Sequence, residues 1–182
     1  MIEATFETAT DPRTTPRLVL VATDTSATST GAERAGVELA ARVGANLILL
    51  SVIDPSRLRL PGGVFHTRVD QVRTERESAL ARIVEDARKQ GVPALFLIWE
   101  GDPGAVVIEA AEAEGADVIV VGSHARGPVG RLLLGSVSSY VVDHAKRTVV
   151  VVRPGQRLDD VWPIDISPRD TIVAPRAAHR SV

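Results

Sequence analysis

The sequence predicts an α/β fold in three layers, with helices on both faces of a five-stranded, mainly parallel sheet. Five short apolar runs are continuous rather than alternating, which is typical of strands that are covered on both faces. Segments with helical spacing lie between these runs, so the order along the chain is β-α-β-α-β-α-β-α-β. The predicted strands are Leu18–Ala22, Leu47–Ile53, Leu95–Trp99, Val118–Val121 and Val149–Val152.

The first helix is predicted from about Gly31 to Val43, where small and apolar residues recur at helical spacing. Thr30 and Glu33 have the spacing of a capping box, in which the two side chains bond free amides at the start of a helix. Gly44 follows, and glycine commonly ends a helix.

Three further helices complete the pattern. The second runs from about Val69 to Gln90, and the fourth runs from near Ser136 to about His144. The third begins with Asp102 as N-cap and Pro103 at the first helical position, a favourable pair, and ends near Glu114. Ligands of such open sheets bind outside the carboxyl ends of the strands, where the strand order reverses, so a site is expected there.

Composition fits one globular domain. The chain has 182 residues, of which only 3% are aromatic, so the core must consist mainly of Val, Ile, Leu and Ala. The formal net charge of -2 gives no reason to expect nucleic acid or an anionic membrane as a partner. Without Cys there is no disulfide, thiolate metal site or thiol nucleophile. No apolar run reaches the ~18 residues of a membrane span, and the N-terminal residues 1–16 lack the basic start and apolar centre of a secretory signal, so we expect a cytoplasmic protein.

The chain is predicted to divide into three parts. Residues 1–16 are rich in Thr and form a flexible N-terminal segment, and residues 17–154 form the folded domain. Residues 155–182 form a C-terminal extension, whose apolar side chains are able to pack on the domain or on a partner.

The stretch from Gly122 to Ser138 is the most informative candidate site. It leaves a strand and enters a helix, where amide groups and the helix dipole favour an anion. Its glycines allow a phosphate to approach the backbone, Ser136 can cap the helix or bond a phosphate oxygen, and Arg126 and Arg131 supply charge. On spacing alone, a phosphate loop and a simple turn with a capping serine fit equally well. The stretch is neither a Walker loop nor a dinucleotide fingerprint.

The same stretch resembles the signature of the universal stress protein family, in which a Gly-x2-Gly-x9-Gly-Ser/Thr loop holds the phosphates and ribose of ATP. Here the frame reads Gly122-x2-Ala125-x9-Gly135-Ser136. The ends of the first two strands, with Asp24 and with Val52, also fit, and the resemblance extends over about residues 17–154. It implies a Rossmann-like fold of the adenine nucleotide alpha hydrolase type, with the strand order 3-2-1-4-5.

Carried over position by position, the resemblance implies a nucleotide site in which Val52 offers its backbone to adenine. On the residues alone, Asp24 is more simply a turn-capping Asp that follows a strand, and His124 is more simply a solvated loop residue. Ala125 departs from the family pattern, because a position with positive φ would cost Ala about 1 kcal/mol and its methyl group would crowd a phosphate. The predicted nucleotide-binding residues are Ala22, Thr23, Asp24, Val52, Val121, Gly122, His124, Ala125, Gly135, Ser136, Val137 and Ser138.

The resemblance further implies an ATP-binding regulator of the stress response, with or without Mg²⁺, that acts as a homodimer on an unidentified protein partner. The last strand, Thr148–Arg153, would pair between the two copies, since a bare apolar edge strand invites aggregation. Two alternatives remain open: an interaction module without a ligand, and a slow ATPase or autophosphorylating protein. The sequence offers no dedicated base and no metal-ligand spacing among its histidines, so we expect no enzyme and no metal site.

Overall fold

The predicted fold class is confirmed in a computed structural model, which describes residues 16–58, 65–123 and 134–161. Five parallel strands form one sheet in the order β3-β2-β1-β4-β5, as the resemblance implied. The strands are β1 (Leu18–Ala22), β2 (Asn46–Ile53), β3 (Ala94–Glu100), β4 (Val118–Gly122) and β5 (Thr148–Val152).

Helices connect the strands. Two elements were not predicted, a 3-10 turn after β2 and a short helix after β5. None of the helices in the described part of the chain is long and apolar enough to cross a membrane. The helical elements are α1 (Thr30–Val43), the 3-10 turn (Pro55–Leu58), α2 (Phe65–Lys89), α3 (Pro103–Ala113), α4 (Ser136–His144) and α5 (Leu158–Val161).

The sheet separates two apolar cores, which explains why the strand sequences are apolar without alternation. Side chains of a strand point alternately to opposite faces, so Val19 and Val21 of β1 pack with α1 and α2. Leu18 and Leu20 of the same strand pack in the second core, against α3 and α4. The β1 strand is thus buried on both faces, and its carboxyl end lies at the middle of the sheet edge.

The predicted helix ends are partly correct. Asp102 caps α3, because its Oδ1 accepts the amide of Ala105 at 3.1 Å, and Gly44 ends α1 with a φ of 67°. The prediction of a capping box at the start of α1 is wrong. Thr30 is the first helical residue rather than the cap, and the side chain of Glu33 accepts a hydrogen bond from Thr23 instead of returning to the start of the helix.

Candidate functional site

A crevice opens where the strand order reverses, at the carboxyl ends of β1 and β4. These strands are neighbours in the sheet, but β1 connects through α1 to β2 on its other side. The helices α1 and α4, which follow these two strands in the chain, pack on opposite faces of the sheet, and a gap opens between them. This gap contains a cavity of about 480 Å³. Small-molecule sites usually have a volume of about 300–1,000 Å³, so the cavity is of a suitable size.

The cavity gathers the predicted site residues that the structure describes. They come from the ends of β1, β2 and β4 and from the start of α4, which are far apart in sequence. His124 and Ala125 lie outside the described residues, together with Arg126 and Arg131. The predicted residues that line the cavity are Ala22, Thr23, Asp24, Val52, Val121, Gly122, Gly135, Ser136, Val137 and Ser138. Their role in nucleotide binding stays a prediction.

A sharp turn after β1 holds Asp24 at the cavity. Its Oδ1 accepts the amide of Ser26 at 3.0 Å and the hydroxyl of Ser29 at 2.5 Å. This is the turn-capping geometry that a lone Asp after a strand indicates. Thr25 has a φ of 58°, in a region that β-branched residues rarely adopt. The turn is therefore strained, and strain of this kind clusters at ligand sites.

Behind this turn lies a buried acid, Glu33 of α1, which is 8% exposed. Its Oε1 accepts the Thr23 hydroxyl at 2.5 Å, and that hydroxyl in turn accepts the Thr25 amide at 2.9 Å. Burial raises the pKa of the Glu33 carboxyl, the Thr23 hydrogen bond lowers it, and the nearby Asp24 raises it further. This network fixes the start of α1 against the end of β1 and orients the turn that carries Asp24.

The backbone of Val52 faces the crevice because β1 ends before it. The last pair of β1 and β2 is Ala22 with Leu50, and the Thr23 amide donates to the Leu50 carbonyl at 2.9 Å. Alternate residues of β2 point their backbone groups to β3, as Ile53 does when its carbonyl accepts the Gly101 amide. Val52 points the other way, where β1 supplies no residue opposite it.

Arg76 of α2 is half buried and occupies part of the open edge of β2 beside Val52. Its Nη1 donates to the Ser51 hydroxyl at 3.0 Å and also to the Val52 carbonyl. The Ser51 hydroxyl donates in turn to the Thr23 carbonyl at 2.8 Å, which ties the ends of β1 and β2 together. Burial lowers the pKa of Arg76, and the charge of Asp24 opposes that shift. The wall of the cavity at Val52 therefore carries a cation.

The start of α4 forms the opposite wall. Gly135 is its N-cap, with an extended backbone, and because glycine has no side chain this residue makes no side-chain cap to the first amides of the helix. Of the two roles considered for Ser136, helix capping does not apply, because Ser136 is already the first helical residue. Ser138, which is 2% exposed, donates its hydroxyl to the Gly135 carbonyl at 3.0 Å. Amides without a side-chain cap at a helix start are a suitable partner for an anion.

Sequence reasoning missed part of the cavity wall, above all Arg76. Its position has a helical spacing of four from Val72 and from Leu80, so a single cation in the apolar stripe of α2 was the available signal. The 3-10 turn was missed as well. Within it Arg57 pairs with Asp54 at 3.0 Å, and both residues line the cavity. Among the described residues, no cluster of three His, Asp or Glu side chains could hold a metal ion.

Comparison of the chain with known proteins finds related sequences. Residues 16–153 match the universal stress protein family. The chain is 30% identical over 137 residues to universal stress protein MJ0531 of Methanocaldococcus jannaschii, covering 74% of this chain and 81% of that protein. It is 31% identical over 144 residues to universal stress protein YxiE of Bacillus subtilis, covering 74% and 97%.

Solved structures share the fold. Universal stress protein UspA from Lactobacillus plantarum superposes with a TM-score of 0.67 at 28% identity, covering 75% of this chain and 97% of that chain. A universal stress protein in complex with cAMP superposes with a TM-score of 0.58 at 25% identity, covering 77% and 98%.

Proposed function

The chain belongs to the universal stress protein family, and we propose that it is an adenine-nucleotide-binding regulator of the stress response that acts as a homodimer. ATP is the expected ligand, with or without Mg²⁺. Nucleotide would change the equilibrium between two states of the protein only as far as it binds them with different affinity. We also expect a cytoplasmic location and no catalytic turnover.

One observation supports this proposal above the others. A single cavity is lined by backbone groups around Val52 and by the start of α4 around Ser136, where the N-cap is a glycine. A nucleotide needs both kinds of surface, because its base is read by hydrogen bonds and its phosphates are held by amides and a helix dipole. Asp24 also lines the cavity, just after β1, which lies between β2 and β4 in the sheet, and there it would bond a ribose hydroxyl.

A related protein supports the choice of ligand. The structure of a universal stress protein in complex with cAMP carries an adenine nucleotide on the same fold. The Gly122 position supports close approach of such a ligand, since a Cβ built there would meet, among the described residues, Ala32 Cβ at 3.7 Å and Thr28 O at 3.9 Å. These are ordinary contacts, so the fold itself does not require glycine at this position.

Titration calorimetry of the nucleotide-stripped full chain with MgATP tests the proposal. We expect micromolar binding, and we expect Gly122→Ala to weaken it, because Gly122 lines the cavity and the fold accommodates the added methyl group. Gly31→Ala is the matched control: it lies in α1, its nearest neighbours would be 3.9 Å away, and it does not line the cavity. Binding that Gly122→Ala leaves unchanged would contradict the site.

The Ala125→Gly variant separates this function from a ligand-free interaction module. Silence from the native chain, with binding restored in Ala125→Gly, would mean that one methyl group has closed the site. The module without ligand would then replace the nucleotide regulator as the proposed function. Silence from both proteins would have the same consequence.

The homodimer is proposed through β5, an edge strand with β4 as its neighbour in the sheet. The Ser123 amide donates to the Val152 carbonyl, so Val152 faces β4 and its neighbour Val151 points its backbone groups outward. Val151→Pro removes an outward amide and leaves the ladder to β4 intact. Light scattering should show a dimer for the native chain and a monomer for Val151→Pro. A native chain that is monomeric at micromolar concentration would contradict the dimer.

A further inference from the structure

Arg76 brings hydrogen-bond donors to the part of the cavity where the Val52 backbone is exposed. Nη1 is occupied, because it donates to the Ser51 hydroxyl and to the Val52 carbonyl. No acceptor within residues 16–58, 65–123 and 134–161 bonds Nη2 or Nε. A guanidinium carries five N–H donors in a rigid fork, so several of them remain available beside the cavity.

Purine bases differ in the hydrogen-bonding groups that they would present to Arg76 and Val52. A 6-aminopurine presents an exocyclic N–H donor, whose natural acceptor here is the Val52 carbonyl. Arg76 already donates to that oxygen, so the amino group would face a cationic donor at close range. A 6-oxopurine presents an oxygen instead, and Arg donating to the O6 and N7 of a purine is the commonest specific contact between Arg and a base.

We propose that Arg76 determines the base preference of the cavity, favouring 6-oxopurine nucleotides over 6-aminopurine nucleotides relative to the same site without the guanidinium. The inference rests on the proposed nucleotide binding and deepens it by naming the atoms that discriminate between ligands. Adenine nucleotides still bind when Arg76 leaves the Val52 carbonyl, but they bind at the cost of its two hydrogen bonds.

ATP and ITP are the matched probes, because they share ribose and triphosphate and differ only at the six-position edge of the purine. The attraction of Arg76 for phosphate acts equally on both, so it cancels in the ratio of the two dissociation constants. Arg76→Met removes all donors and keeps an unbranched stem of similar length. We expect the ratio of the ITP to the ATP dissociation constant to rise roughly tenfold in Arg76→Met, measured by titration calorimetry.

Two further variants complete the experiment. Arg82→Met changes an exposed arginine of the same helix and should leave the ratio at the native value. Arg76→Lys keeps the charge without the planar fork and should move the ratio in the same direction as Arg76→Met but by less, because a lysine also donates to the O6 of a purine. Thermal unfolding of each variant checks that it is folded, and Arg76→Lys carries the test should Arg76→Met fail to fold.

The outcomes separate this inference from the proposed function. If ATP and ITP bind the native chain and every folded Arg76 variant with the same ratio, Arg76 does not set the base preference, and nucleotide binding stands. If neither nucleotide binds the native chain or any variant, the inference and the proposed nucleotide function are both overturned.

Discussion

Replacing Gly36 with Ala should force α1 away from β1 and lower the free energy of unfolding. A Cβ built on Gly36 would lie 2.1 Å from Val21 Cγ2. Carbon atoms in packed interiors meet at about 3.5–4.0 Å, so the new methyl group would be too close by about 1.4 Å. Val21 is 0% exposed in the central strand, and it has no open space into which to turn.

The expected loss follows from two opposing effects. Overpacking of a core costs about 1–3 kcal/mol, and the size of this overlap places Gly36→Ala at the upper end. Ala favours a helix over Gly by about 1 kcal/mol, which offsets part of that cost. The net loss should be about 2 kcal/mol, which corresponds to a fall of about 4–8 °C in the midpoint of thermal unfolding for a domain of this size.

Urea unfolding followed by circular dichroism measures this loss, with a control on the same helix. Gly31→Ala places a methyl group 3.9 Å from its nearest neighbours, so its stability should equal or slightly exceed that of the native chain. Val21→Ala removes the methyl group that overlaps with the new one. Gly36→Ala should therefore cost less in a Val21→Ala background, by at least about 1 kcal/mol.

Two results would refute the packing argument. One is a Gly36→Ala variant as stable as the native chain. The other is a loss of the same size in the native and Val21→Ala backgrounds, because the two sites would then act independently although they are in direct contact.

Three further predictions concern single side chains. Burial raises the pKa of Glu33 above its ordinary value of 4.5, although the hydrogen bond from Thr23 lowers it. The folded state therefore binds this proton more tightly than the unfolded state does, so the free energy of unfolding falls as the pH rises from 4.5 to the raised pKa. Glu33→Gln should reduce the stability lost between about pH 4 and pH 7 in urea unfolding, whereas the exposed Glu109→Gln should not; equal pH slopes in the native chain and Glu33→Gln would contradict this. Thr25→Gly should raise the thermal midpoint more than Thr25→Ala, because glycine adopts the φ of 58° without strain, and a lower midpoint for the glycine variant would count against strain. Asp102→Ala should cost about 1 kcal/mol in urea unfolding and Asp102→Asn much less, since Asn also caps; equal losses would argue against the cap.

The fold could be predicted from the sequence because its signals are local. Strands covered on both faces need continuous apolar runs, and helices need the 3.6-residue period, so each element is encoded in its own segment. The observed strand ends differ from the predicted ones by one residue at most, as at β2, which begins at Asn46 rather than Leu47. The strand order was not encoded in this way, and it followed from the family resemblance.

The prediction from local sequence was wrong where a side chain could bond either a neighbour in the sequence or a residue of a distant segment. Thr30 and Glu33 have the spacing of a capping box, but spacing cannot show what the end of β1 brings to the same place. In the fold, Thr23 lies within hydrogen-bonding distance of Glu33, and a buried carboxylate takes that partner because burial without a hydrogen bond is costly.

The same distinction applies to the residues of the candidate site, some of which could be located from the sequence while others could not. Asp24, Val52 and Gly122 lie at or just after the carboxyl ends of apolar strands, and parallel strands end at one edge of the sheet, so the apolar pattern was enough to place these residues at that edge. Arg76 belongs to a helix, and the face that a helix turns to the sheet depends on how the whole layer packs. The contact of its guanidinium with the Val52 carbonyl could be seen in the folded protein alone, because it joins two residues 24 positions apart through packing rather than through any local pattern.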